Sequence, residues 1–497
     1  MSQRNGLSLA HSGPHKSYHS VDSETSLLQG HAKEASRSIK PYSVQTALDA
    51  LGFGIFQIKI SALAGLCYMT DAMELMLMSI LAPILKCSFQ LTSVQEALLT
   101  TSVFVGMCIT ANFWGIIADK YGRKPVLLMF AALSGYFGIL CSLSPNFWWI
   151  LGLRFIVGCG LGATPQSMTY YSEFLPTKSR GTCLMAIAVM WAVGASLQAA
   201  LALVVMPTLG WRWLLGLSSI PLFLFILTFK VLPESPRYYL FRGYHSEAEK
   251  VLAKISKENG RSLPEGILQS SSEQESVDGA TWNALFRSEY LRITLLATIM
   301  SVSGNTAYYG SSILTTSLFE NDDSCHGYTD GGGTTGGETC EAFCQTLSTS
   351  DYVDFMITSF SELPGVFISM FLMKCCGRKS VQTAMYFSFT VAILLCNICL
   401  PRGGLVALLF IARALGNAAA QGGYLYIAEL FPTSLRAKGL GWCSGVSRVG
   451  IIAAPFIAQV LIKESANWSI SCFGLLGLLG GLATMLMPIE TANREMK

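Results

Sequence analysis

The sequence predicts an all-α membrane protein: twelve transmembrane helices in two six-helix bundles. Composition gives the first reason. Only 13% of the 497 residues are charged and 51% are hydrophobic, whereas a soluble domain carries about 25% charged residues; the mean hydropathy is +0.46. The second is a set of twelve apolar runs of about 20 residues, each long enough to cross a bilayer, six on either side of the polar stretch 233–290. The third is a repeated phrase. Glu173-Phe-Leu-Pro176-Thr177-Lys-Ser-Arg180 returns as Glu429-Leu-Phe-Pro432-Thr433-Ser-Leu-Arg436, with Glu, Pro, Thr and Arg at matching offsets, and Gly122-Arg123-Lys124 returns as Gly377-Arg378-Lys379. Two similar halves in a membrane protein imply a pathway between them.

Residues 1–58 are polar, rich in Ser and His and without an apolar core, so they predict a disordered tail and no cleavable signal. Within it, Glu24-Thr-Ser-Leu27-Leu28 has the form of an acidic dileucine sorting signal. Spans 1 to 6, at about 61–85, 97–118, 126–144, 147–171, 182–206 and 212–231, fill a first bundle over 59–232. The linker 233–290 contains Ser246 and Glu249 at capping-box spacing, which predicts a short helix over about 246–257 and a latch between the halves. Spans 7 to 12, at about 291–314, 352–373, 381–400, 404–428, 439–462 and 468–488, fill a second bundle over 291–488, and 489–497 is a short tail.

Charge sets the expected sidedness. Lys120, Arg123, Lys124, Lys178, Arg237, Lys374, Lys379 and Lys438 follow even-numbered spans, so their loops share a side, which the positive-inside bias makes the cytosol. Both termini then lie there. The loop 317–350 is acidic and reads as extracytosolic. Its Cys325, Cys340 and Cys344, with Cys87 at the end of span 1, point to one or two disulfides of open pairing, the alternative being a metal site beside the carboxylates.

Ionisable residues at membrane depth mark function by default. Asp71 and Glu74 in span 1 are three residues apart, on one helical face. They read as a proton-coupling or cation-binding pair, or else as partners of a structural Arg. Glu362 lies at the centre of span 8, before Pro364 and Gly365, where the helix is expected to bend. Arg448 in span 11 needs an anion, supplied by Glu362 or by the substrate. Arg154 and Arg413 begin spans 4 and 10 at similar depth and read as structural. Asn305, Tyr308 and Tyr309 in span 7 form an aromatic, polar patch suited to a cavity wall or to core packing.

The cytosolic motifs read as gates. Asp119 with Arg123, Glu173 with Arg180, and Glu429 with Arg436 place opposite charges at helix ends, as candidate latches between the bundles, with Arg378 the second copy of Arg123 and Lys374 standing where Asp119 stands. No Gly-x-x-x-x-Gly-Lys-Ser/Thr phosphate loop occurs, which argues against an ATP-driven pump. Gly158-x-Gly160-x-Gly162 lies inside an apolar helix and reads as helix packing rather than a dinucleotide site. With no nucleophile–base set or metal cluster, neither enzyme activity nor a cofactor nor a bound metal is expected.

Gly115-x3-Asp119-x2-Gly122-Arg123-Lys124, Pro233-Glu234-Ser235-Pro236-Arg237 and Pro488-Ile489-Glu490-Thr491, with the doubled phrase, resemble the major facilitator superfamily from about 60 to 491. Thr70-Asp71-Ala72-Met73-Glu74, Tyr308-Tyr309-Gly310, Ser361-Glu362-Leu363-Pro364-Gly365 and Ser447-Arg448-Val449-Gly450 resemble its synaptic vesicle branch, close to the organic cation and anion transporters. The resemblance implies the major facilitator fold and a midplane cavity. It also implies substrate contacts at Glu362 and at Arg448, the latter favouring an anionic or zwitterionic substrate. The expected protein is a secondary transporter of small organic ions working by alternating access, with proton coupling at Asp71 and Glu74. It is expected as a monomer in a vesicle membrane, or else in the plasma membrane, with no nucleic-acid partner. The competing reading is a non-transporting receptor or vesicle-trafficking protein that binds a small ligand.

Overall fold

The computed structural model describes residues 41–269, 282–320, 348–398 and 400–491. The dileucine-like string and Cys325, Cys340 and Cys344 lie outside the described residues. Spans 1 to 6 are Ile55–Phe89, Ser93–Tyr121, Arg123–Ser142, Phe147–Ser172, Arg180–Val205 and Trp211–Val231. Spans 7 to 10 are Ser288–Glu320, Thr349–Cys375, Arg378–Leu395 and Arg402–Leu430. Span 11 is Thr433–Pro455, continued by the turns Phe456–Leu461 and Ile462–Glu464, and span 12 is Ala466–Met485.

Ten of the described helices are long and apolar enough to cross a membrane; spans 7 and 9 complete the twelve. Span 9 is short and opens on Arg378 and Lys379. Span 7 is diluted by hydroxyls, which bond back to their own helix: Ser311 Oγ donates to the Tyr308 carbonyl at 2.9 Å and Thr315 Oγ1 to the Ser311 carbonyl at 2.8 Å. Such a helix suits the middle of a protein better than lipid, and span 7 packs against spans 1, 10, 11 and 12.

Several spans are broken where residues line the interior. Span 4 stops at Leu161 and restarts at Pro165. Span 8 breaks at Ser361, immediately before Glu362, as Pro364 predicts. Span 11 widens into a π-helical turn at Phe456–Leu461 after Pro455. The glycine string of span 4 is a packing face: a Cβ on Gly158 would lie 2.2 Å from the Val103 carbonyl oxygen, and one on Gly162 2.3 Å from Thr110 Oγ1.

The expected tail is folded in its last part. Val44, Ala47, Leu48 and Leu51 fall on one face of the helix Val44–Leu51 and are buried, and Ser43 caps its start. Pro41–Tyr42 pairs in parallel with Ile267–Leu268 of the linker. The linker helix His245–Asn259 forms on a buried stripe of Ala248, Val251, Leu252 and Ile255, with no side-chain cap at Tyr244 in place of the expected capping box. Its end joins the first half rather than bridging both. Asn259 Oδ1 accepts the Phe56 N–H at 3.2 Å and Glu258 pairs with Lys59 at 3.0 Å.

The halves meet unevenly. The rim carrying the linker is here the linker-side rim, and the opposite one the Cys87-side rim. Cross-half hydrogen bonds are found at mid-depth and towards the Cys87 side. There Thr101 Oγ1 donates to the Ile452 carbonyl at 3.3 Å, Ser196 Oγ to the Ser359 carbonyl at 3.5 Å, and Lys463 stands 3.9 Å from Glu96. The interface is therefore closed towards Cys87.

Candidate substrate cavity

At mid-depth the two halves enclose a cavity of about 120 Å³. Its wall is built from short helical faces. Tyr68 and Asp71 come from span 1, Asn305, Tyr308 and Tyr309 from span 7, Gln421 and Tyr424 from span 10, and Ser444, Ser447 and Arg448 from span 11. Each set is spaced by three or four residues, so each helix offers one face. Trp191 of span 5 completes an aromatic cluster, with ring centroids 5.2 Å from Tyr68, 6.5 Å from Tyr308 and 6.2 Å from Tyr309. Tyr68 Oη donates to Gln421 Oε1 across the halves at 3.2 Å.

The predicted charges separate into two groups. Asp71 and Arg448 line the cavity. Neither forms an ion pair among the described residues. Asp71 is 4% exposed with Oδ1 unpartnered, and Arg448 Nη1 donates to the Met107 carbonyl at 2.6 Å. Glu74 and Glu362 are outside the wall and are held by arginines. Glu74 Oε2 accepts from Arg154 Nη1 at 2.7 Å, and Glu362 Oε1 from Arg413 Nη2 at 2.8 Å, all four side chains being buried. Of the two readings of Glu74, the structure shows the pair with a structural arginine, Arg154, and Glu362 pairs with Arg413 in place of Arg448. The cause is helical phase: Arg154 and Arg413 project into their own halves, where the buried carboxylates stand. Of the two readings of Asn305, Tyr308 and Tyr309, cavity wall or core packing, the structure places all three on the cavity wall.

Sequence reasoning missed Tyr68, Trp191, Gln421 and Tyr424. Tyr68 stood one turn before Asp71, and Gln421 and Tyr424 were polar residues one turn apart in an apolar span. Trp191 is a lone aromatic in an apolar helix and gave no signal.

Of the expected rim pairs, Asp119–Arg123 forms, while Glu173 pairs with Arg123 instead of Arg180. Arg123 bonds both Asp119, at 3.0 Å, and Glu173, at 3.2 Å, while its Nη1 donates to the Ala118 carbonyl at 3.0 Å. Arg378 repeats this with Glu429 at 3.3 Å and the Met373 carbonyl at 3.2 Å. Lys374 takes no part in that repeat, so the second copy lacks the Asp119 contact. Arg180 Nη2 turns from Glu173 to Gln45 Oε1 at 2.6 Å, and the Thr177 N–H donates to Asp49 Oδ1 at 2.6 Å. Each of the Arg123 and Arg378 pairs lies within one bundle, so these contacts brace a half and do not latch one half to the other.

A further repeat closes each bundle. Glu234 accepts the N–H groups of Arg123 and Lys124 at 3.1 Å each, capping span 3. Glu490 accepts those of Arg378 at 2.9 Å and Lys379 at 3.2 Å, capping span 9. Burial pushes the Glu234 carboxyl up, against the backbone amides that pull it down.

Twelve helices in two like halves around a central cavity closed from one side define a membrane transporter fold. The comparisons agree. The sugar (and other) transporter family matches residues 32–328 and the major facilitator superfamily residues 346–496. The chain belongs to the sugar (and other) transporter family of the major facilitator superfamily. It is 42% identical to the synaptic vesicle 2-related protein of Pongo abelii over 92% of this chain and 82% of that one. It is 34% identical to organic cation/carnitine transporter 7 of Arabidopsis thaliana over 92% of this chain and 96% of that one. The xylose transporter XylE from E. coli, in a partially occluded inward open conformation, shares the fold with a TM-score of 0.67 at 18% identity, covering 88% of this chain and 99% of that one.

Proposed function

We propose that the protein carries a small zwitterion or organic anion across a vesicle membrane by alternating access, with protons as the second cargo and the monomer as the working unit. One observation carries the reading: Asp71 and Arg448 reach one cavity from opposite halves, and neither is ion-paired among the described residues. A charge at that depth is stable only with a counter-charge. A ligand with an ammonium and a carboxylate supplies both, and the aromatic cluster suits the ammonium end. Binding such a ligand also joins the halves, which is what alternating access requires. The names of the synaptic vesicle relatives support the vesicle membrane, and the basic loops support cytosolic termini.

The test uses three length-matched probes, 4-aminobutyrate, butyrate and butylamine, on purified full-length protein in proteoliposomes. Binding and uptake should favour the zwitterion, then the anion. Arg448→Ala should weaken both carboxylates at least tenfold, and Asp71→Asn should weaken the zwitterion alone. Equal binding of all three, or binding without any uptake, would overturn the reading; the second result would favour a ligand-binding receptor.

A further inference from the structure

Glu362 is fully buried, yet it is wired to the cavity. Trp191 Nε1, in the first half, donates to Tyr308 Oη at 2.8 Å. Tyr308 Oη donates to Glu362 Oε2 at 2.8 Å. Glu362 Oε1 accepts from Arg413 Nη2 at 2.8 Å, and the same nitrogen lies 3.2 Å from Met76 Sδ, back in the first half. The chain therefore crosses between the halves at both ends. Trp191, Tyr308, Glu362, Arg413 and Met76 are each no more than 2% exposed, and Trp191 and Tyr308 also line the cavity.

We infer that Glu362 is a proton-binding site of the conformational cycle, reached from the cavity through the Tyr308 hydroxyl. The inference rests on the transport reading above for its purpose, but its test needs no substrate. A hydronium in the cavity gives a proton to the Tyr308 oxygen as the phenolic proton passes to Glu362 Oε2. The hydronium becomes water, the phenol is regenerated, and the carboxylate becomes a carboxylic acid. Two consequences follow at the ends of the chain. The acid now donates to the Tyr308 oxygen, whose new proton faces the cavity, so the Trp191 N–H and the Glu362 acid compete for the acceptor capacity of one phenol oxygen and the Trp191 bond weakens. Arg413 loses its anion and with it the geometry that holds it against Met76. One proton thus loosens both cross-half contacts.

Among the described residues, Arg413 is the charged group in contact with this carboxyl. Span 10 contributes Arg413 and the neutral Asn417, and span 7 contributes Tyr308 and Tyr309. Span 5 contributes Trp191, Ser196 and Gln198, none ionisable, and span 9 contributes Tyr386, bonded to the Met300 carbonyl at 2.9 Å. On span 1, Glu74 is committed to Arg154 and Asp71 lies on the cavity wall. On span 8 itself, Asp351 and Asp354 are at the rim with Arg402.

The test is the distance between the halves as a function of pH. Spin labels are placed at Lys178→Cys and Lys438→Cys on the linker-side rim, with the exposed Cys375 and Cys376 replaced by Ser, in full-length protein in nanodiscs without ligand. Between pH 8 and pH 5 the wild type should change the ratio of its distance populations about fivefold. Glu362→Gln should show the acid distribution at pH 8 and respond no further, while Asp71→Asn should still titrate. Should Glu362→Gln fail to fold, Trp191→Phe, which removes only the cross-half donor, should lose at least half of the pH response. A wild type that ignores pH, or a Glu362→Gln protein that titrates like wild type, would overturn the inference. A protein that responds to pH but takes up none of the three probes would instead overturn the transport reading.

Discussion

At the scale of single residues, burial, pairing and a hydrogen-bonded link to the cavity separate charges that hold the protein together from charges free to do work. Glu74 and Arg154 are a closed pair, about 1% exposed. Removing one partner strands a charge in a dry environment, which costs about 3–5 kcal/mol, whereas replacing both with apolar residues is often neutral. Glu74→Gln should therefore lower the melting temperature sharply, and the double variant Glu74→Met with Arg154→Met should recover most of the loss. A Glu74→Gln protein as stable as wild type would remove the structural assignment. Asp71, with an unpartnered oxygen in the cavity wall, should behave in the opposite way: Asp71→Asn should leave stability unchanged or raise it while weakening zwitterion binding.

At the scale of elements, the starts of spans 3 and 9 depend on glycine. Gly122 has φ of 104° and Gly377 of 89°, a region that side chains rarely adopt. A Cβ on Gly122 would lie 2.3 Å from Glu234 Oε2, whereas one on Gly377 would lie 3.0 Å from Glu490 Oε2. Gly122→Ala should thus cost about 1–3 kcal/mol from backbone strain alone and dislodge the Glu234 cap as well, with Gly377→Ala the milder of the two. Thermal unfolding of both variants checks the order, and equal losses would show that the crowding at Glu234 is relieved by side-chain movement.

For the molecule as a whole, the Cys87-side closure sets which way the cavity faces. Glu96 is 1% exposed and Lys463 reaches it from the other half. Glu96→Gln removes that attraction together with the Lys86 pair of its own half at 3.5 Å, and a change of about 1 kcal/mol in the cross-half term corresponds to roughly a fivefold change in populations. In the spin-labelled protein at pH 8, the population with the linker-side rims drawn together should grow by about that factor; an unchanged distribution would mean that Glu96 closes nothing.

The twelve spans, the repeat and the broken span 8 were legible because each has a local signature: apolar length, matched phrases, and proline beside a buried charge. The cavity was legible only where polar residues interrupted apolar helices, as at Asp71, Arg448 and Asn305. Partner choice was not. Nothing in the linear order says that Arg413 faces Glu362 or that Arg123 takes Glu173 from Arg180, because rotation of each helix about its axis is settled by packing. The helix Val44–Leu51 was hidden for another reason: its four apolar residues make a stripe too short to stand out in a polar tail.

The caps at Glu234 and Glu490 have a mechanical consequence. Each fastens the end of a bundle's last span to the start of its third, so each bundle is a belt buckled on itself. A belt of that kind resists shear, and rocking of one bundle over the other has to be absorbed somewhere softer. Regular α-helical bonding is interrupted within the spans at Leu161–Pro165, Ser361 and Phe456–Leu461. The compliance of the protein is thereby concentrated around the cavity itself, where a ligand has the shortest lever on it.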